Sequence, residues 1–154
     1  MGDRERLAIF NSLVSVVHGA RVLDMFAGSG ALGIEALSRG AAHVTFVDNS
    51  HKARDTIKQN LQMLDQASHA TVSSSLPHDN AQIYDLIFAD PPYDIDIATL
   101  NLPHLANILT ATGTLVLSTV KATEIAELFG DQLTLISDKT YARARITMWT
   151  KTAS

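Results

Sequence analysis

The chain reads as a doubly wound α/β protein, with a mostly parallel seven-stranded sheet, helices on both faces and an antiparallel edge, and three observations predict this. Short apolar runs alternate with longer segments whose apolar residues recur at helical spacing. The first such run, residues 21–26, breaks into a glycine-rich turn followed by a helical stretch. A later run, residues 84–89, leads straight into Asp90-Pro91-Pro92-Tyr93. Strands joined through helices pair in parallel, and right-handed crossovers gather their carboxyl ends along one edge, where ligands bind in such sheets.

The elements follow in order. From Asp3 to about Val17, the residues Leu7, Phe10, Leu13, Val14 and Val17 recur every three or four positions. This predicts one amphipathic helix with Asp3 as N-cap and Gly19 as its stop. Strand one is residues 21–26, and a helix over 31–38 is closed by Arg39-Gly40. Strand two is 43–48. A polar helix over 51–65 turns Ile57, Leu61 and Leu64 toward the core, and a short strand lies around 70–74. After strand four, 84–89, a helix near 102–109 leads through Gly113 to strand five, 114–118, and a further helix covers roughly 122–129. Residues 133–137 and 145–150 close the chain as two strands, antiparallel at the edge. The connection over 76–83 is short for a parallel crossover, which usually needs about a dozen residues.

A chain of 154 residues, 46% apolar and 18% charged, has the composition of one globular domain spanning 1–154. Having no cysteine, it offers neither a disulfide framework nor a thiolate metal site. The six histidines fall singly, without the spacing of a metal motif, so no metal is expected. The charged start precedes no signal-type apolar core, and no apolar run approaches the ~20 residues of a membrane span, so the expected setting is cytoplasmic. The formal net charge of −4 argues against a generally basic surface, since sequence-independent nucleic-acid affinity comes from Lys and Arg neutralising phosphates. A nucleic-acid target would need a local patch, drawn from Arg4, Arg6, Lys139, Arg143, Arg145 and Lys151, or a partner that positions it.

The run from Asp24 through Phe26, Ala27, Gly28, Ser29 and Gly30 to Gly33 sits where a first strand turns into a first helix. Its glycines let the backbone turn sharply and approach a ligand with no Cβ in the way. The spacing alone also fits a dehydrogenase, which sets a pyrophosphate at the helix N-terminus. A carboxylate at Asp24 disfavours phosphate and suits an ammonium group, as on the methionine part of S-adenosylmethionine. Asp48, followed by Asn49 at the end of strand two, lies roughly 20 residues beyond the glycines, where a carboxylate accepts ribose hydroxyls. Ser29 does not sit in the G-x-S-x-G setting of a hydrolase nucleophile.

In Asp90-Pro91-Pro92-Tyr93 the prolines fix φ and remove two N–H donors, leaving a stiff, acceptor-rich turn. An amino group on an aromatic ring or carbonyl has a delocalised lone pair and is a poor nucleophile. The Asp90 carboxylate and Pro91 carbonyl can accept its two N–H groups and reorient that pair, while Tyr93 offers a face for stacking.

These residues together resemble a class I methyltransferase, and more narrowly the bacterial small-subunit ribosomal RNA guanine-N2 methyltransferases. The resemblance is carried by Asp3-Arg4-Glu5-Arg6, Phe10-Asn11, the string from Leu23 to Ala42, and Phe88 to Tyr93. It implies a Rossmann-like fold and S-adenosylmethionine as cofactor, held by Asp24, Phe26, Ala27, Gly28, Ser29, Gly30, Asp48, Asn49 and Asp90. It also implies catalytic roles for Asp90, Pro91 and Tyr93 at a base flipped from ribosomal RNA, on a partly assembled small subunit, by a monomer. The family's basic N-terminal extension has no counterpart before Asp3, and Leu76 stands where the family offers Asn or Asp to the adenine. Three other readings stay open at this point: methylation of DNA adenine N6 or a glutamine amide, a binding module without chemistry, and a nicotinamide dehydrogenase.

Overall fold

The computed structural model describes residues 1–77, 83–142 and 144–153. Its strands are β1 (Arg21–Met25), β2 (His43–Val47), β3 (Ala70–Ser73), β4 (Tyr84–Ala89), β5 (Leu109–Thr119), β6 (Leu133–Thr140) and β7 (Arg145–Lys151). The helices are α1 (Asp3–Ser12), α2 (Val14–Val17), α3 (Ala31–Ser38), α4 (His51–Met63) and α5 (Leu102–Ile108). All seven strands form one sheet in the order β3-β2-β1-β4-β5-β7-β6. The first five pair in parallel, and β7 runs antiparallel between β5 and the edge strand β6. The expected seven-stranded, mostly parallel sheet is therefore present.

The sheet is buried on both sides, which is why its central strands read as apolar runs rather than alternating patterns. One face packs Val22, Phe46, Leu86 and Phe88 against Ile9 and Phe10 of α1, Leu32, Ala36 and Leu37 of α3, and Ile57 and Leu61 of α4. The other packs Leu23, Ile87, Leu115 and Leu117 against α5, Ile125, Phe129 and Trp149. The order in which strands are added reverses at β1, which pairs in parallel with β2 on one side and β4 on the other. This switch point sets Met25 directly opposite Ala89. The glycine turn after β1 and the Asp-Pro-Pro-Tyr turn after β4 thus leave the sheet side by side, at the place where doubly wound sheets bind ligands.

Several expectations are corrected. The first helix is two: Leu13, at φ −106° and ψ 14°, donates its N–H to Phe10 in a tight turn and breaks it. The break turns Val14 (70% exposed) to solvent, and Leu7 (55%) also lies outside the core that takes Ile9, Phe10, Leu13 and Val17. Asp3 does not cap; Gly2 holds that position without a side-chain bond, and Asp3 pairs with Arg6 at 2.7 Å. α4 stops at Met63, leaving Leu64 exposed as its C-cap, and Ser50 caps the other end by accepting the Ala53 N–H. Strand five begins directly after α5, with an irregular register between Tyr84 and Leu86 that absorbs residues 110–113.

Residues 122–129 form no helix. They run as successive tight turns, with Leu128 N–H on Ile125 O and Gly130 N–H on Glu127 O. Burial of Ile125 and Phe129 is achieved without a helix. In the short connection from β3 to β4, residues 78–82 lie outside the described residues; Leu76 and Ile83 at its ends pack on the second face. Among the described residues no helix is long and apolar enough to cross a membrane.

Candidate active site

The site grows from the end of β1. Phe26 adopts φ +55°, a left-handed conformation uncommon outside glycine, and bends the chain out of the sheet. Ala27 donates its N–H to Val47 O at 3.1 Å, and Gly28, at φ +59°, donates to Asp48 Oδ2 at 2.9 Å. Gly30 at φ +84° is the N-cap of α3. The Asp48 carboxylate is held at both oxygens, since Oδ1 accepts the Ser50 N–H at 2.9 Å, and Arg54 reaches its backbone carbonyl at 2.9 Å.

Asp24 lies beneath this loop, 1% exposed. Its Oδ2 accepts the Gly33 N–H at 2.9 Å, satisfying an amide in the first turn of α3 that has no partner within the helix. Burial pushes its carboxyl up to about 8, the Gly33 bond pulls it down, and the nearby Asp90 and Asp48 charges push it up again. Gly33 has a different task from its two predecessors. A Cβ there would run into Phe46 and Val44, so this glycine permits α3 to lie close against β2.

A cavity of about 380 Å³ opens between the two turns. Of the sequence-predicted residues, Phe26, Gly28, Asp48, Asn49, Asp90, Pro91 and Tyr93 line it, joined by Pro92 and Met1. The Met1 nitrogen lies 3.8 Å from Asp90 Oδ2. Ala27 packs on the first face of the core, and Gly30 is buried against Ile57 and Phe46. Ser29 faces outward, borders a separate depression with Gly28 and Lys52, and takes the Asn60 amide on its carbonyl at 3.1 Å. Asp24 does not line the cavity wall.

A second cavity, of about 200 Å³, lies across the turn. Pro91, Pro92 and Tyr93 border both cavities, so the turn is a shared wall; Tyr93 is 50% exposed while Pro91 is buried. The far side of the second cavity includes Ser118 and Thr119 at the end of β5, which sequence reasoning missed. Two hydroxyl residues closing an apolar strand were the available signal, but their relevance depends on β5 lying beside β4. Of the candidate phosphate-contacting residues, two already have partners within the fold. Arg145 is committed to structure through Asp138 at 2.7 and 2.8 Å and the Thr123 carbonyl at 2.8 Å, and Arg6 is paired with Asp3. Arg143 lies outside the described residues.

Comparison with known proteins agrees with this geometry. YlbH of Bacillus subtilis, whose name assigns it provisionally to the rRNA methyltransferases, is 37% identical over 97% of this chain and 85% of its own length. Ribosomal RNA small subunit methyltransferase D of Haemophilus influenzae is 39% identical over 63% of this chain, a match spanning 54% of that protein. A solved Haemophilus influenzae structure, described provisionally as a methylase, superposes with a TM-score of 0.83 at 28% identity, covering 98% of both chains. The fold is that of class I methyltransferases. With the family described as conserved hypothetical protein 95 matching residues 1–150, and with these relatives beside it, the chain belongs to that family.

Proposed function

We propose that the protein transfers a methyl group from S-adenosylmethionine to N2 of a guanine in small-subunit ribosomal RNA, acting as a monomer in the cytoplasm. The observation that carries this reading is the register of Met25 against Ala89, which makes a carboxylate-lined cavity and a rigid acceptor turn share a wall. The ribosomal target comes from the Haemophilus influenzae relative, which is named for methylation of small-subunit RNA.

The residues present suit a cationic cofactor. Asp48 and Asp90 line the larger cavity and Asp24 lies below it, close enough for their charges to raise its carboxyl. Each Asp48 oxygen takes one backbone N–H and keeps a lone pair for a ribose hydroxyl. Bound there, S-adenosylmethionine supplies an electrophilic methyl group on a sulfonium. The chain's contribution is positioning. The Asp90 carboxylate and Pro91 carbonyl accept the two N–H groups of the guanine amino group, turn its lone pair toward the methyl-donor cavity, and leave a carboxylate beside the nitrogen to take the proton released. Tyr93 supplies a stacking face. With a net charge of −4, grip on the RNA comes from proteins or folded RNA of a partly assembled subunit rather than from a broad basic surface.

Tritiated S-adenosylmethionine, with small subunits lacking the modification and with naked RNA, tests the proposal. Label in small-subunit RNA, carried on guanine N2 and lost in Asp90→Ala, is the expected result. Binding of S-adenosylmethionine with no label in any RNA would overturn it.

A further inference from the structure

Helix α4 directs Arg54, Ile57 and Asn60, three residues apart in turn, at the two loops that frame the larger cavity, yet none of the three lines it. Residues at this spacing share one side of a helix. The Arg54 guanidinium donates to the Asp48 carbonyl at 2.9 Å, and the Asn60 amide donates to the Ser29 carbonyl at 3.1 Å. Between them Ile57 is fully buried, and a Cβ added at Gly30 would come within 3.3 Å of it, so the helix lies directly against the glycine turn. The core takes only Ile57 and Leu61 from α4 as buried residues. Packing therefore does not require the two polar side chains to reach where they do.

We infer that Arg54 and Asn60 are positioning residues for the methyl donor: from α4 they set the glycine turn and the Asp48 carboxylate at the separation that one bound cofactor bridges. Each bond acts on a particular peptide unit. Asn60 holds the carbonyl of the Ser29–Gly30 peptide, whose N–H is given to Ala27 O at 2.8 Å, so that unit is fixed at both ends. Arg54 holds Asp48 by its main chain, which leaves the two carboxylate oxygens to the Gly28 and Ser50 amides, with lone pairs over for a ligand. Gly28 and Gly30, at φ +59° and +84°, give the turn a conformational freedom that other residues lack. Ordering it before the ligand arrives removes that entropy from the cost of binding. The inference rests on the proposed activity for the identity of the ligand, and on the two bonds for the positioning.

Asn60→Ala and Arg54→Met each remove one bond, and both replacements are good helix formers, so α4 is retained. Calorimetry with S-adenosylmethionine should show Kd raised about fivefold in each, as for one hydrogen bond lost. The loss falls on KM for the cofactor rather than on kcat or on KM for the RNA. Charge alone predicts the opposite sign for Arg54→Met, since removing a cation beside a site for a cationic ligand tightens binding. Unchanged affinity in the double variant, or tighter binding in Arg54→Met, overturns the inference. A second measurement needs no cofactor. In the ligand-free protein, amide hydrogen exchange should quicken about fivefold at Gly30 in Asn60→Ala and at Gly28 in Arg54→Met, while the Leu23 amide in buried β1 keeps its wild-type rate. Unchanged exchange at both glycines overturns the inference, as does equal quickening at Leu23, which would mark a general loss of stability. Should the wild type bind no S-adenosylmethionine, the proposed activity fails, and exchange at Gly28 and Gly30 decides separately whether α4 holds the turn.

Discussion

The two sides of the Asp-Pro-Pro-Tyr turn are built on different terms. On the cofactor side Asp24 is engaged in the fold with Gly33, and Asp48 with Gly28 and Ser50. On the target side Tyr93 stands half exposed, and the Ser118 and Thr119 hydroxyls find no hydrogen-bond partner among the described residues. The first half is complete before ligand arrives, while the second is left for its ligand to complete. This predicts that substitutions on the cofactor side disturb folding together with binding, whereas those on the target side disturb transfer alone.

The sharpest test of that division is Asp90→Ala. Asp90 follows a strand buried on both faces, but its carboxylate takes no backbone amide in the way Asp24 and Asp48 do. Losing an acceptor for the amino group should lower kcat by about 10²–10³-fold, with Tm held within about 2 °C. Single-turnover transfer and thermal melts read the two quantities on one sample. Gly33→Val probes the opposite side. Its Cβ would collide with Phe46 and Val44, and overpacking of this kind destabilises by about 1–3 kcal/mol. Urea unfolding should therefore show a lower midpoint, and residual activity should track the folded fraction.

Asp24 sharpens the comparison through pH. With its carboxyl raised to about 8 by burial, the folded chain binds a proton there that the unfolded chain releases near 4. Between those values the folded state holds more protons, so this group's contribution to stability is full below about 4 and is lost as pH rises through about 8. Asp24→Asn keeps the acceptor for Gly33 and removes this slope from the pH dependence of Tm. A cationic ligand favours the carboxylate, so S-adenosylmethionine binding at pH 6.5 should release close to one proton in the wild type and none from this site in Asp24→Asn. Titration calorimetry in buffers of different ionisation enthalpy counts it; equal proton release in both proteins would remove Asp24 from cofactor binding.

How far these halves were legible in the sequence differs for the same reason. Phe26, Gly28, Asp48 and Asp90 could be placed because strand-turn-helix chemistry is local, and a glycine run after an apolar strand has few conformations open to it. Gly33 could be marked but not understood, since its neighbours Phe46 and Val44 belong to a strand ten residues away or more. Ser118 and Thr119 were not singled out, because their place beside the turn depends on β5 lying next to β4. Helical periodicity misled where the chain broke at Leu13, leaving Val14 outside, and again at 122–129, where two buried apolar residues four apart are satisfied by turns.

Tyr93 is where the division can fail, because it borders both cavities. Stacking of a base on an aromatic ring contributes ~1–3 kcal/mol, so Tyr93→Ala should raise KM for the RNA about tenfold. Tyr93→Phe keeps the ring and should leave KM near the wild-type value. The residue is half exposed, so neither change should move Tm by more than about 2 °C. Cofactor affinity decides what the turn is. If Tyr93→Ala weakens RNA and spares S-adenosylmethionine, the ring belongs to the target side and the turn separates two independent sites. Equal weakening of both would make Tyr93 a common wall on which methyl donor and acceptor base are held together, and the two halves would have to be treated as one site.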